Sequence, residues 1–447
     1  MQTILNKIKG YVPSKYRTID SQLELALYYS YLEARKGGKR KTHDEHDFEI
    51  HDFKNLEALK NDILNRTYKP SRSTAHIIEK PVIREIFAAP FRDRVVHHLI
   101  FNSVYDWWDN HFIYDSYSCR VNKGTLFGIR RLDHHIRAVS RNYARPAYVL
   151  KLDIEGYFMS LPRLKLYQRA IWGLNQQFKN RRHATEYQIL KFLWYQTIMD
   201  DPIKGVKKKG DLSLWDKLPS SKSLFTQPPG KGIVIGNLTS QLLSNIYLDQ
   251  LDRFITYDLG YKHYGRYVDD FYIVVTEEKL PQLKRDISAI AEYLKLIDLT
   301  LHPKKRLLKN SKYGIPFLGA IVYHNHILPG KRLSKNMSQT FKEVITGERD
   351  ITTVTSYLGH MKHINSYNLV KEVFTTIGWD YQDDDCFRTS AQITKKSRRW
   401  RWRLALPSGE LNKTNYEPVT IHLAILPLYL LLLLVPGLTL LLLKFIL

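Results

Sequence analysis

Residues Gly265-Arg266-Tyr267-Val268-Asp269-Asp270-Phe271-Tyr272-Ile273-Val274-Val275 decide how this chain reads. Aromatic and β-branched side chains flank two adjacent carboxylates, and such side chains suit a pleated, half-buried surface. The stretch predicts a β-hairpin with Asp269 and Asp270 at or near its turn. Neighbouring carboxylates repel each other unless a positive charge or water lies between them. A hard divalent cation such as Mg²⁺ suits their oxygens. Taken alone, an Asp-Asp turn is more simply read as solvated. The order of parts in the rest of the chain weighs the other way.

Ala147-Tyr148-Val149-Leu150-Lys151-Leu152-Asp153-Ile154 reads as a buried strand with one carboxylate near its end. A charge there is costly unless compensated, which makes Asp153 the natural third metal carboxylate. Phe158 follows where the chain could bend beside a substrate, although on the residues alone an ordinary core aromatic is the better reading. Upstream, residues 75–80 and 82–86 predict a strand pair and Phe91 opens a helix through Val95, Val96, Leu99 and Ile100. Arg84, Arg92 and Arg94 lie around that junction, and guanidinium forks match phosphate oxygens. Pairing with Asp93 or Glu85 is the structural alternative, to which Asp93-Arg94 leans. Gly236-Asn237-Leu238-Thr239-Ser240-Gln241 follows Ile233-Val234-Ile235 and opens a long helix. Its Gly permits close backbone approach, Thr239 or Ser240 can cap, and free N–H groups suit phosphate or sugar.

Elsewhere the signals are weaker. Residues up to about Thr67 read as mostly helical, interrupted by the basic run Arg35 to Lys41 and by His43-Asp44-Glu45-His46-Asp47, which predicts a solvated polar linker. A helix is expected from Asn55 to Leu64. Asp133-His134-His135 reads as a polar helix face rather than a ligand set. Lys207-Lys208-Lys209 and Pro228-Pro229-Gly230 mark a solvated loop insertion. After the hairpin come an amphipathic helix from Leu280 to Ile297, then His302-Pro303-Lys304-Lys305, then one strand over Ile315 to Tyr323 that contains a Gly. Residues Lys331 to Arg403 read as helical and basic, ending in Trp-interleaved Arg and Lys that suit nucleic acid or a membrane surface. Asp383-Asp384-Asp385 has no flanking strand and reads as a solvated loop. From Leu423 to Leu443 no residue is charged, which meets the ~20 residues needed to span a bilayer. Lys and Arg on its N-terminal side would keep the body cytoplasmic.

The chain has 447 residues, with 68 Lys+Arg against 44 Asp+Glu and a formal net charge of +24, which favours a polyanionic partner. Its two cysteines, Cys119 and Cys386, exclude a disulfide framework and a zinc quartet. The first residues lack the long apolar core of a secretion signal.

Taken in order, Arg84 with Asp93-Arg94, Ser116-Tyr117-Ser118-Cys119-Arg120, Lys151-Leu152-Asp153, Ile235 to Gln241, Tyr267-Val268-Asp269-Asp270, His302-Pro303-Lys304-Lys305 and Phe317-Leu318-Gly319 form a series. Over roughly residues 20 to 335 that series resembles a bacterial reverse transcriptase. It is most similar to the enzymes of diversity-generating retroelements and of antiphage defence, with retron and group II intron enzymes as cousins. The resemblance implies an α+β right-hand polymerase: an N-terminal helical extension over 1–70, fingers and palm over 71–330, a helical basic thumb over 331–405, and an apolar tail over 421–447. It implies an RNA-directed DNA polymerase that adds dNTPs to a primer 3′-hydroxyl with two Mg²⁺ ions, Mn²⁺ being the substitute. Asp153 and Asp269 would be the main metal ligands, with Asp270 and Ile154 beside them. Arg84 and Arg92 would clamp the triphosphate, and Phe158 would select deoxyribose. Gly236 and Gln241 would flank nucleotide and template. Lys304 or Lys305 would be the general acid, and Phe317-Leu318-Gly319 the primer grip. The expected partners are an RNA template, a DNA or RNA primer and a non-coding RNA encoded nearby, with a homo-oligomer or partner protein and inner-membrane contact through the tail as additional expectations. Ile235 departs from the Gln that many members carry before the Gly, which implies relaxed fidelity.

Overall fold

The computed structural model describes residues 18–36, 42–79, 82–349 and 352–376. The chain up to Val373 lies in one unit, and of a second unit comprising Phe374–Gln382 and Thr394–Leu447 only residues 374–376 are described. Three helices come first: α1 (Ile19–Ala34), α2 (His43–Ile50) and α3 (Asp52–Leu64). Helix α2 corrects the expectation of a solvated linker. Asp44 and Glu45 sit in its first turn, where unpaired N–H groups favour carboxylates. Glu45 is fully buried against Arg35 at 3.2 Å, and the Asp44 carboxylate accepts the Phe91 N–H at 2.6 Å. The acidic run thus ties the extension to the body.

Strands β1 (Thr74–Ile78) and β2 (Arg84–Ala88) pair antiparallel, from Thr74 opposite Ala88 to Ile78 opposite Arg84. After Pro90 comes α4 (Phe91–His111), whose Val95, Val96, Leu99 and Ile100 are buried at the expected helical spacing. Each such side chain contributes ~1.5–3 kcal/mol by leaving water, and α4 packs against α1. Next are α5 (Thr125–Ser140), β3 (Ala147–Asp153), a helical turn Tyr157–Ser160, α6 (Arg163–Gln177) and α7 (Thr185–Met199). The lysine triplet, expected in a free loop, supplies β4 (Lys207–Lys208), which pairs parallel with β1 and makes a sheet of order β2-β1-β4.

Helix α8 (Leu238–Arg253) precedes β5 (Tyr264–Tyr267), β6 (Asp270–Thr276), α9 (Leu280–Leu296) and β7 (Leu307–Asn310). The central sheet has the order β5-β6-β3-β7 with every pairing antiparallel. Its alternate residues feed two cores, as the period of a strand dictates. Leu150, Leu152, Phe271 and Ile273 join the helices α4 and α8, whereas Val149, Tyr272 and Val274 join Ile129, Leu132 and Ile136 of α5.

The strand expected over 315–323 is instead a hairpin of β8 (Ile315–Phe317) and β9 (Ala320–Val322), continued by β10 (Ile327–Pro329). Leu318 and Gly319 turn the chain at φ +49° and +85°, a conformation that Gly accepts readily. Helices α10 (Lys331–Ile345), α11 (Thr352–Met361) and α12 (Tyr367–Thr376) end the described chain. Asp383-Asp384-Asp385, the Trp-interleaved basic run and the apolar tail lie outside the described residues. No described helix is long and apolar enough to cross a membrane.

Candidate active site

The β5–β6 hairpin forms as its residue types predict. Tyr267 pairs with Asp270, which leaves Val268-Asp269 as the turn. Val268 has φ +57°, an unfavourable value for a β-branched residue. Arg266, fully buried behind the turn, holds it there by donating to the Val268 carbonyl at 3.0 Å. The same guanidinium donates to both carboxylate oxygens of fully buried Asp252 at 2.7 Å and 2.7 Å, so its charge is compensated. Asn245 Oδ1 and Ser116 Oγ, each at 3.3 Å, accept from it as well.

Asp153 ends β3 directly opposite Asp270, and the Ile154 N–H donates to the Asp269 carbonyl at 3.3 Å. The sheet therefore delivers Asp153, Asp269 and Asp270 to one end, from two strands and a turn. The loop after α9 is stitched to the same end by His302 N–H to the Asp153 carbonyl at 2.8 Å and Glu155 N–H to the Thr300 carbonyl at 2.9 Å. Lys305 Nζ consequently lies 3.0 Å and 3.1 Å from the two Asp153 oxygens, while Lys304 is exposed. Lys151 Nζ meets Asp270 Oδ2 at 2.9 Å, and Asp270 Oδ1 is buried with no partner.

Burial, then the nearby Asp153 charge, pushes Asp269 up to about 6, against the opposing pull of Lys305 and Arg84. Burial also pushes Asp270 up to about 6, although Lys151 opposes it. Among the described residues no group of three or more His, Cys, Asp and Glu side chains closes on a metal position. The donor set nevertheless fits a hard divalent cation, because carboxylate oxygens suit it, one buried oxygen lacks a partner, and added positive charge would relieve the crowding. Lysines engage two of the three acids, Lys305 both oxygens of Asp153 and Lys151 one oxygen of Asp270.

Of the expected phosphate-binding residues, Arg84 is exposed at the start of β2, forms no ion pair among the described residues, and lies near enough for its charge to act on Asp269. Arg92 corrects the expectation. Its guanidinium pairs with Asp62 at 2.7 Å, donates to the Lys69 carbonyl at 3.2 Å and lies over the Tyr68 ring, so it is committed to the fold. Arg94 likewise donates to the Ala89 carbonyl at 2.8 Å.

Phe158 sits half-buried in the helical turn that follows Gly156. Gly236 is exposed at φ +132°, and a Cβ there would lie 2.3 Å from the Phe87 carbonyl, so only Gly lets the chain pass β2 this closely. Gln241 is exposed in the first turn of α8. The cap position falls on Asn237 rather than on Thr239 or Ser240, and Thr239 Oγ1 lies 2.9 Å from His97 Nδ1. Phe317 packs edge-on against Tyr272 and beneath Lys151 Nζ.

Four residues of the site escaped the sequence reading: Arg266, Asp252, Asn245 and Lys151. The available signal was a basic residue inside each of two otherwise apolar strands. The acids that compensate them are distant in sequence or across the sheet, where no local pattern reaches.

A family model described as reverse transcriptase (RNA-dependent DNA polymerase) matches residues 78–322. No curated protein sequence matches the chain. Among solved structures, apo telomerase from Candida tropicalis is similar at 12% identity and a TM-score of 0.41, over 69% of this chain and 59% of that one. Telomerase from Candida albicans in complex with a fragment of telomeric RNA is similar at 11% identity and a TM-score of 0.43, over 70% of this chain and 57% of that one. The chain thus spans less than two thirds of these telomerase chains.

Proposed function

The chain belongs to the reverse transcriptase family; from that premise we propose that it is an RNA-directed DNA polymerase, a nucleotidyltransferase, with Asp153 and Asp269 as its catalytic carboxylates. The observation that carries this is the pairing of Asp153 with Asp270 beside the Val268-Asp269 turn, which gathers the acids at one sheet end. There they would hold two Mg²⁺ ions, whose charge would favour deprotonation of the primer 3′-hydroxyl and offset the charge of the leaving pyrophosphate. Arg84 binds the triphosphate. The Phe158 ring crowds a ribose 2′-hydroxyl and selects dNTPs. Lys305, beside Asp153, holds a proton at Nζ for the departing pyrophosphate. Gly236 and Gln241 border the nucleotide and template, and Phe317-Leu318-Gly319 steadies the primer.

In this reading residues 71–330 are fingers and palm and 331–405 the thumb. The order of the motifs supports a bacterial enzyme of the retroelement and defence group, and antiphage defence is the proposed role. Mutagenic copying is the second reading. Ile235 favours it, since its side chain packs on an apolar cluster and offers no hydrogen bond to a base pair. Primer extension on an RNA template tests the chemistry. Asp153→Asn and Asp269→Asn should each abolish extension while circular dichroism is unchanged, and persisting extension would contradict the assignment. Phe158→Ala should admit NTPs. Ile235→Gln should lower the error rate, and an unchanged rate counts against the fidelity reading.

A further inference from the structure

Between α7 and α8 the chain makes a long excursion over residues 203–232 that the polymerase chemistry leaves without a task. Its outer face is basic, with exposed Lys204, Lys207, Lys208 and Lys209. Its inner face is apolar. Leu224 is buried with Ala75, Phe87, Met159 and Val234, while Trp215 and Phe225 pack on the same cluster. Phe225 stacks on Phe87 with ring centroids 6.0 Å apart, Trp215 meets Phe225 at 5.4 Å, and Lys208 Nζ lies over both rings.

Two anchors fix this strap. At one, β4 extends the outer sheet beside β1. At the other, the fully buried Glu85 carboxylate of β2 accepts the Ser223 hydroxyl at 2.7 Å and the Leu224 N–H at 3.1 Å. A buried carboxylate is expensive unless its oxygens are satisfied, and here both are satisfied by the strap alone.

The cluster beneath the strap carries two more residues, Phe158 and Ile235. The strap's exit runs between them. Gly232 N–H donates to the Leu161 carbonyl at 2.8 Å, Ile233 N–H to the Phe158 carbonyl at 3.0 Å, and the Ile235 carbonyl accepts the Phe87 N–H at 2.8 Å. A Cβ on Gly232 would fall 2.3 Å from Leu224 Cδ1, so strap and exit are packed without slack. The ring proposed to test the sugar and the side chain proposed to border the base pair thus lean on one patch, to which the strap contributes buried Leu224 with Trp215 and Phe225 packed on it.

We propose that Leu224, Phe225 and Trp215, clasped by Glu85, are positioning residues for nucleotide selection: they hold Phe158 and Ile235 at the distance that separates right from wrong nucleotides. This rests on the reading of Phe158 as the sugar gate. A strap that merely covered the apolar face of the sheet would affect stability and overall rate. A positioning strap alters the ratio between competing substrates, because displacement of a selecting group by about 1 Å changes rates by up to ~100-fold.

The test measures kcat/KM for dGTP and for GTP on one RNA template, in the full chain, with thermal melts alongside. Leu224→Ala and Phe225→Leu should each lower the dGTP preference about fivefold or more. Leu224→Met should restore it, and Leu212→Ala, on the exposed side of the strap, should leave it unchanged. Glu85→Gln keeps the volume and supplies a second route should Leu224→Ala fail to fold. An unchanged preference in Phe225→Leu and Glu85→Gln, while Phe158→Ala does lower it, overturns the proposal and leaves the gate standing. An unchanged preference in Phe158→Ala removes the gate and the proposal together.

Discussion

Arg266 shows why single residues decide this site. Its guanidinium satisfies Asp252 and the carbonyl of Val268, the residue whose strained backbone aims Asp269. Removing one partner of a buried pair strands the other charge, which costs ~3–5 kcal/mol. Arg266→Met should destabilise the fold by about that amount in urea denaturation, and the double variant Arg266→Met with Asp252→Asn should recover part of the loss. His97 sets a different limit. Burial, helped by His98 and Arg94, lowers it from 6.5 to about 3, and it meets Thr239 at the start of α8. The unfolded chain takes up that proton at a higher pH than the folded one. Stability linked to His97 is therefore intact above pH 6.5 and declines as pH falls towards 3, at up to ~1.4 kcal/mol per pH unit. Equilibrium unfolding at pH 7 and pH 5 should show a larger drop in the wild type than in His97→Gln; an equal drop would show that His97 is not the source.

At the scale of elements, the turn into α8 depends on close approach. Gly236 passes the Phe87 carbonyl where no Cβ fits and holds φ +132°. Gly236→Ala should lose at least ~1–2 kcal/mol from backbone strain alone, read as a lower denaturation midpoint with unchanged far-ultraviolet dichroism. The junction was legible beforehand as a place where Gly permits close backbone approach, a pattern that many proteins share. The central hairpin was legible too, because branched and aromatic residues surround its acids. Helix α2 was not. Its polar composition resembles a linker, and what makes it a helix is the burial of Glu45 against Arg35 and the hold of Asp44 on the Phe91 N–H, both contacts with other elements. The Leu318-Gly319 turn and the pairing of Lys207–Lys208 with β1 were missed for the same reason, as tertiary context overrode local composition.

For the whole molecule, the residues assigned to polymerisation run from Arg84 to Gly319, across the three sheets and the helices between them. Removing residues 421–447 should therefore leave primer extension in vitro unchanged, and its loss would assign the tail a part in the chemistry. What the sequence carried best were groups whose chemistry is local: acids at strand ends, a glycine at a junction, lysines after a proline. What it carried poorly was the allocation of charge. Arg92 and Arg84 look alike in sequence, yet Arg92 is committed to Asp62 and Tyr68 while Arg84 is exposed and its charge acts on Asp269. Lys151 was read only as part of a strand; it lies in β3, and its side chain also engages Asp270. The most direct measurement is the anomalous scattering of Mn²⁺ in crystals of the full chain. The account predicts an ion bonded to one carboxylate oxygen of Asp153 and one of Asp269; an ion held by Asp270 without Asp153, or none at the sheet end, would contradict it.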